Sequence, residues 1–112
     1  SEANLKRCKA EDGFNHPLES WSVSDWFTAV MGELGEAANL AKKINRIRDG
    51  IPGNTPTESK SLLYDKLRRE LADTFIYLDL LSQRLGFELC EEVPRVFNDK
   101  SKEIGYAAEP LS

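Results

Sequence analysis

The chain has 112 residues, 40% of them apolar, 30% charged and 9% aromatic, a globular composition that excludes wholly disordered and collagen-like chains and fits one domain over residues 1–112. Its 15 Lys+Arg and 19 Asp+Glu leave a net charge of −4, which argues against a protein that coats nucleic acid. No 18-residue apolar run and no signal-peptide-like apolar stretch near the N-terminus occur, and Cys8 and Cys90 form no CxxC, so no membrane partner and a reduced, cytoplasmic setting are expected.

In chain order, the first ten residues are expected to form a short helix. The GFNHP stretch that follows contains His16, the one histidine of the chain, which excludes His-rich zinc sites and any HExxH motif. Ser22 and Asp25 then have the spacing of a capping box. Phe27, Val30, Met31, Leu34, Ala38, Ala41 and Ile44 follow at helical spacing, and Gly50 supplies a stop. Trp26 is expected in the core.

The turn-rich RDGIPGNTP segment comes next. Thr55 as N-cap, Pro56 at the first helical position and Glu58 three residues beyond Thr55 predict a new helix start. That helix should run to Leu85, with Gly86 closing it. From Leu71 to Leu81 it is apolar nearly all round, which predicts burial against a second subunit. A last helix is expected from about Glu88 to Ile104, carrying Leu89, Val93, Val96 and Phe97, with Pro94 in its first turn or kinking it. No alternating strand pattern appears. The expectation is an all-α bundle, assembled as a homo-oligomer.

Two acid pairs stand out. Glu33 and Glu36 lie on the first long helix, Glu70 and Asp73 on the second. At i,i+3 spacing each pair shares one side of its helix. Glu33 borders the apolar stripe through Val30 and Ala37, and Glu70 follows Leu67 by three residues. If the helices pack antiparallel, the pairs face each other. Four facing carboxylates would repel strongly without a cation, either Lys or Arg side chains or a divalent metal; the alternative is that each pair lies on a solvated helix face and simply meets lysines such as Lys42 or Lys66. An all-oxygen set favours Mg²⁺ or Mn²⁺. The di-iron reading fails because Glu36 and Asp73 stand where Glu-x-x-His motifs need histidine.

Glu33-x-x-Glu36 followed by Glu70-x-x-Asp73 resembles the metal-binding signature of the MazG-like, all-α nucleoside triphosphate pyrophosphohydrolases. That superfamily includes dCTP pyrophosphatases and dimeric dUTPases. Trp21-Ser22-x-Ser24-Asp25-Trp26, Gly32 to Asn39 and Lys42-Lys43 look like its first core helix, Asp73 to Leu78 like its second, and Phe97-Asn98-x-x-Ser101 like the end of its third. The likeness covers about residues 13–106.

The resemblance implies that Glu33, Glu36, Glu70 and Asp73 coordinate Mg²⁺, with Mn²⁺ a possible substitute, and that Glu33 and Glu36 are catalytic. Glu36 would orient or deprotonate the attacking water. A nucleoside or deoxynucleoside triphosphate would yield monophosphate and pyrophosphate, clearing non-standard or excess nucleotides. Lys42, Lys43 and Arg46, and Lys100 and Lys102 of the last helix, are candidates for phosphate oxygens; each has an ordinary role as a solvated charge. Asn98 matches a family position near the metal or phosphates. Tyr77 shares the face of Asp73 and is a candidate for the sugar, or a core residue. Trp21, Phe14 and His16 are candidates for a base pocket, with Trp21 equally suited to staple the first helix. A homodimer or homotetramer follows from the likeness. Two features depart from the family: the segment between Glu36 and Glu70 is longer than in compact members, and Lys100 stands where many carry asparagine. The alternatives are a specialised dUTPase or dCTPase, or a non-catalytic helical module that binds nucleotides or a protein partner.

Overall fold

The computed structural model describes residues 1–52, 58–106 and 109–112. Among these the regular structure is entirely helical: α1 (Glu2–Lys9), a 3-10 turn (Leu18–Ser20), α2 (Val23–Asp49), α3 (Lys60–Arg84) and α4 (Leu89–Glu103). No helix among the described residues is long and apolar enough to cross a membrane. The chain divides into two compact units, one of Ser1–Ser20 with Asp79–Ser112, the other of Trp21–Leu78.

The start of α2 is specified locally. Ser22 Oγ accepts from the Asp25 N–H at 3.1 Å and Asp25 Oδ2 accepts from the Ser22 N–H at 3.0 Å, so two otherwise orphaned donors are satisfied reciprocally. The Ser22 backbone N–H and, after it, the Ser22 hydroxyl hold the Asp25 carboxyl below its ordinary pKa. Trp21 packs on Trp26, ring centroids 4.7 Å apart. These are the positions before the N-cap and at the fourth residue of the helix, the geometry of a hydrophobic staple. At the far end Gly50 has φ 67° and its N–H reaches the Arg46 and Ile47 carbonyls. A left-handed residue is what that closure requires.

The described start of α3 lies later than the sequence suggests. Thr55 and Pro56 fall outside the described residues. Lys60 opens the helix, with Ser59 Oγ accepting from the Leu62 N–H at 3.1 Å. Glu58 is drawn instead into an ion pair with Lys43 at 3.3 Å. The α3 end agrees with expectation, Gly86 adopting φ 91° just beyond it. In α4, Pro94 sits in the second turn, past the first turn, one of the two placements expected for it. There its missing N–H leaves the Cys90 carbonyl without its intrahelical donor.

In the unit of Trp21–Leu78 the buried residues are Trp26, Val30, Ala37, Ile44 and Leu63. The apolar pattern of α2 is therefore only partly core, because Phe27, Met31 and Leu34 remain exposed. Leu71 and Phe75 of α3 are exposed as well. In the other unit, Cys8, Leu18, Leu80 and Leu81 are buried. A polar clamp completes it. Buried Asp79 accepts from Asn4 Nδ2 at 2.9 Å and from Gln83 Nε2 at 3.1 Å, and Gln83 also reaches the Ser1 carbonyl. No residue of α4 is fully buried; Val93, Val96 and Phe97 are about half exposed.

Candidate functional site

The site is built on α2 and the first two-thirds of α3, within one unit. Carboxylate oxygens of Glu33, Glu70 and Asp73 lie within 4.8 Å of one another. Glu33 and Glu70 are half-buried and Asp73 is exposed. Glu36 stands outside that triplet but meets the Glu70 carboxyl. The two acid pairs of the sequence are therefore brought together.

Their electrostatics are those of crowded like charge. The contact with Glu70 raises the Glu36 pKa above the ordinary carboxylate value, aided by the Glu70 and Asp73 charges and by desolvation. Glu70 is raised first by desolvation, then by a hydrogen bond to Glu33 and the charges of Glu33 and Asp73, against a lowering contact with Glu36. No cation contributes to either shift. Among the described residues no Lys or Arg forms an ion pair with any of the four acids. Lys42 and Lys66 thus do not neutralise the cluster in this arrangement. The Oε2 atom of Glu70 is buried without a hydrogen-bond partner, and such an atom is costly to desolvate unless a cation or donor completes it.

These residues fit a hard divalent ion. The donors are all carboxylate oxygens, converging from two helices, with one lone acceptor buried among them. Oxygen donors of this kind suit Mg²⁺ or Mn²⁺.

Beside the acids a groove of about 380 Å³ is lined by Glu36, Asn39, Leu40, Lys66, Arg69 and Glu70. The functional potential of Arg69 is missed by the sequence reading, and Lys66 enters it only as a counter-charge. The signal was present, since Lys66, Arg69, Glu70 and Asp73 have the i, i+3, i+4, i+7 spacing of one helix face.

The remaining candidates are placed as follows. Lys42 and Arg46 are exposed on α2, while Lys43 is half-buried and paired with Glu58. Tyr77 is half-buried one turn after Asp73. Trp21 is the staple on Trp26. Phe14 and His16 belong to the other unit, where the Arg7 guanidinium lies 5.1 Å from the Phe14 ring centroid and His16 Nδ1 meets Ser20 Oγ at 2.7 Å. The Asn98 side chain holds the backbone of Leu111, donating to its carbonyl and accepting from its N–H, both at 2.8 Å. Asn98, Ser101 and Lys102 line a separate cavity of about 430 Å³ with Gly105, Tyr106, Glu109 and Pro110. Lys100 pairs with Glu103 at 3.3 Å. Both cysteines are free thiols; the buried Cys8 thiol donates to the His16 carbonyl at 2.9 Å, and burial raises its pKa.

Compared with protein-family models, with curated proteins and with solved structures, the chain finds no match.

Proposed function

We propose that the chain is a divalent-cation-dependent nucleoside triphosphate pyrophosphohydrolase of the MazG-like, all-α type. It would convert a (deoxy)nucleoside triphosphate to monophosphate and pyrophosphate, clear non-standard or excess nucleotides in the cytoplasm, and work as a homodimer or homotetramer of helical bundles. The observation that carries this reading is the convergence of Glu33, Glu70 and Asp73 oxygens within 4.8 Å without a neutralising Lys or Arg among the described residues.

Glu33, Glu70 and Asp73 would hold the ion, with Glu36 at their edge. When bound, Mg²⁺ supplies charge neutralisation for the triphosphate and lowers the pKa of a water molecule. The protein's own contribution is positional and electrostatic. Two rigid helices fix the carboxylates, so little reorganisation is needed when charge develops at the reacting phosphate. Glu36, whose carboxyl meets that of Glu70 at the edge of the triplet, is assigned to take the proton from the attacking water. The water oxygen adds to the α-phosphorus, the α–β anhydride bond breaks, and pyrophosphate leaves. Lys42 and Arg46, exposed one to three turns beyond Glu36, are assigned to phosphate oxygens, as is Lys43 when its ion pair with Glu58 opens. Within the same unit, Tyr77 is assigned to the sugar and Trp21 to the base.

The test is a panel of canonical and modified dNTPs with Mg²⁺, analysed for monophosphate and pyrophosphate. Turnover should fall about 10²-fold or more in Glu36→Ala. Asp73→Ala and Glu70→Ala should lose Mg²⁺ binding in calorimetry while keeping their helical circular dichroism. No turnover on any nucleotide, together with no Mg²⁺ binding by the wild-type protein, would overturn the proposal.

A further inference from the structure

The groove beside the acids is bipolar. Its lining joins the acids Glu36 and Glu70 to Lys66, Arg69, Asn39 and Leu40, and along α3 Lys66 and Arg69 precede Glu70 and Asp73. Lys66 and Arg69 are exposed, and among the described residues neither forms an ion pair within 4.0 Å. On α3, Lys66 precedes Glu70 by four residues. This is the less favourable orientation for a basic–acidic pair on a helix, consistent with the two side chains standing apart. The positive field is thus not spent on the neighbouring carboxylates.

Resting on the proposed function, we infer that Lys66, Arg69 and Asn39 form an anion subsite for the terminal phosphates of a metal-complexed polyphosphate. The chemistry of the three groups matches that ligand. A guanidinium presents a planar fork that binds two phosphate oxygens at once, and an ammonium serves as a mobile point charge. The Asn39 amide adds a neutral donor from α2, one turn beyond Glu36. A volume of about 380 Å³ falls within the usual span of small-ligand sites, about 300–1,000 Å³. The bipolar order also sets the direction of the bound molecule. The metal-bearing phosphate lies at the carboxylates, the leaving pyrophosphate toward Arg69, and the nucleoside on the opposite side. Free pyrophosphate should therefore compete with substrate by occupying the basic end.

Calorimetry of the full chain with inorganic tripolyphosphate, in the presence and absence of Mg²⁺, reads this directly. Arg69→Ala and Lys66→Ala should each weaken Mg²⁺-dependent tripolyphosphate binding by about tenfold to a hundredfold. Binding of Mg²⁺ alone should match wild type. Arg69→Lys should recover part of the affinity, because it restores charge without the fork. Pyrophosphate inhibition should weaken in parallel, and KM for the nucleotide should rise. Wild-type tripolyphosphate affinity in both alanine variants would overturn the subsite, and nucleotide turnover by them would leave the proposed function standing. Failure of the wild-type protein to bind tripolyphosphate with Mg²⁺ overturns the subsite as well. Binding that depends on Arg69 without turnover of any nucleotide supports the subsite and overturns the enzymatic reading.

Discussion

At the scale of single residues, the acids set the behaviour of the metal-free protein. Glu36 and Glu70 titrate above the ordinary carboxylate value because each faces other carboxyls and is partly desolvated. The folded state therefore binds more protons than the unfolded chain over a window that opens near pH 4.5 and closes at the raised folded values. Across that window stability falls as pH rises, the reverse of the usual salt-bridged carboxylate. With a chelator present, Glu70→Gln removes one of these charges. Its melting temperature should gain on wild type progressively as pH rises from about 4.5 through the raised folded values, and saturating Mg²⁺ should erase the gain. A difference that stays flat or shrinks with rising pH would show that the acids do not repel one another in solution. Each acid pair was legible in the sequence because i,i+3 spacing puts its two carboxylates on one side of a helix. The pairing of Lys43 with Glu58 and the grip of Asn98 on Leu111 were not. Such pairings join residues whose separation depends on how loops return, and no local periodicity encodes that.

At the scale of elements, the ends of helices carry their own specification where the side chain bonds its own helix. The Ser22–Asp25 capping box, the Gly50 stop and the Gly86 stop could all be read from residue type and spacing. Ser22→Ala should cost about 1 kcal/mol, measurable by denaturant unfolding, and an unchanged midpoint would show that the box is redundant with the Trp21–Trp26 staple. The α3 start was misread because a helix start needs only one competent cap. Ser59 supplies it for the described helix, and Glu58, the acid assigned to the earlier start, has a better partner in Lys43. One constraint was invisible without coordinates. A Cβ on Gly13 would lie 2.1 Å from the Arg7 carbonyl oxygen, a backbone atom that cannot swing aside as a flexible side chain can. The Phe14 N–H bonds that same oxygen at 3.1 Å, so the turn after α1 needs the glycine for close approach. Gly13→Ala should destabilise by about 1–3 kcal/mol. Full retention of stability would mean that this turn relaxes at little cost.

At the scale of the whole molecule, the apolar pattern exceeds what one chain buries. On α2, Phe27, Met31 and Leu34 are 50%, 61% and 42% exposed; on α3, Leu71 and Phe75 are 50% and 54% exposed. These residues recur at i, i+4, i+7 and i, i+4, so each set forms a stripe along its helix. The helical periodicity was readable, but which stripe faces the chain's own core was not, because a 3.6-residue repeat reports burial without naming the partner. Exposed apolar surface arranged in stripes is the mark of an interaction face. Light scattering of the full chain at micromolar concentration should then report a dimer or larger assembly. Met31→Glu combined with Phe75→Glu should shift it toward the monomer, since each introduced carboxylate would have to be desolvated in the interface. Both positions are more than half exposed within the chain, so the doubly substituted monomer should keep its helical circular dichroism. A wild-type monomer under these conditions would overturn self-association, and an unshifted oligomer in the double variant would show that these two stripes are not the interface.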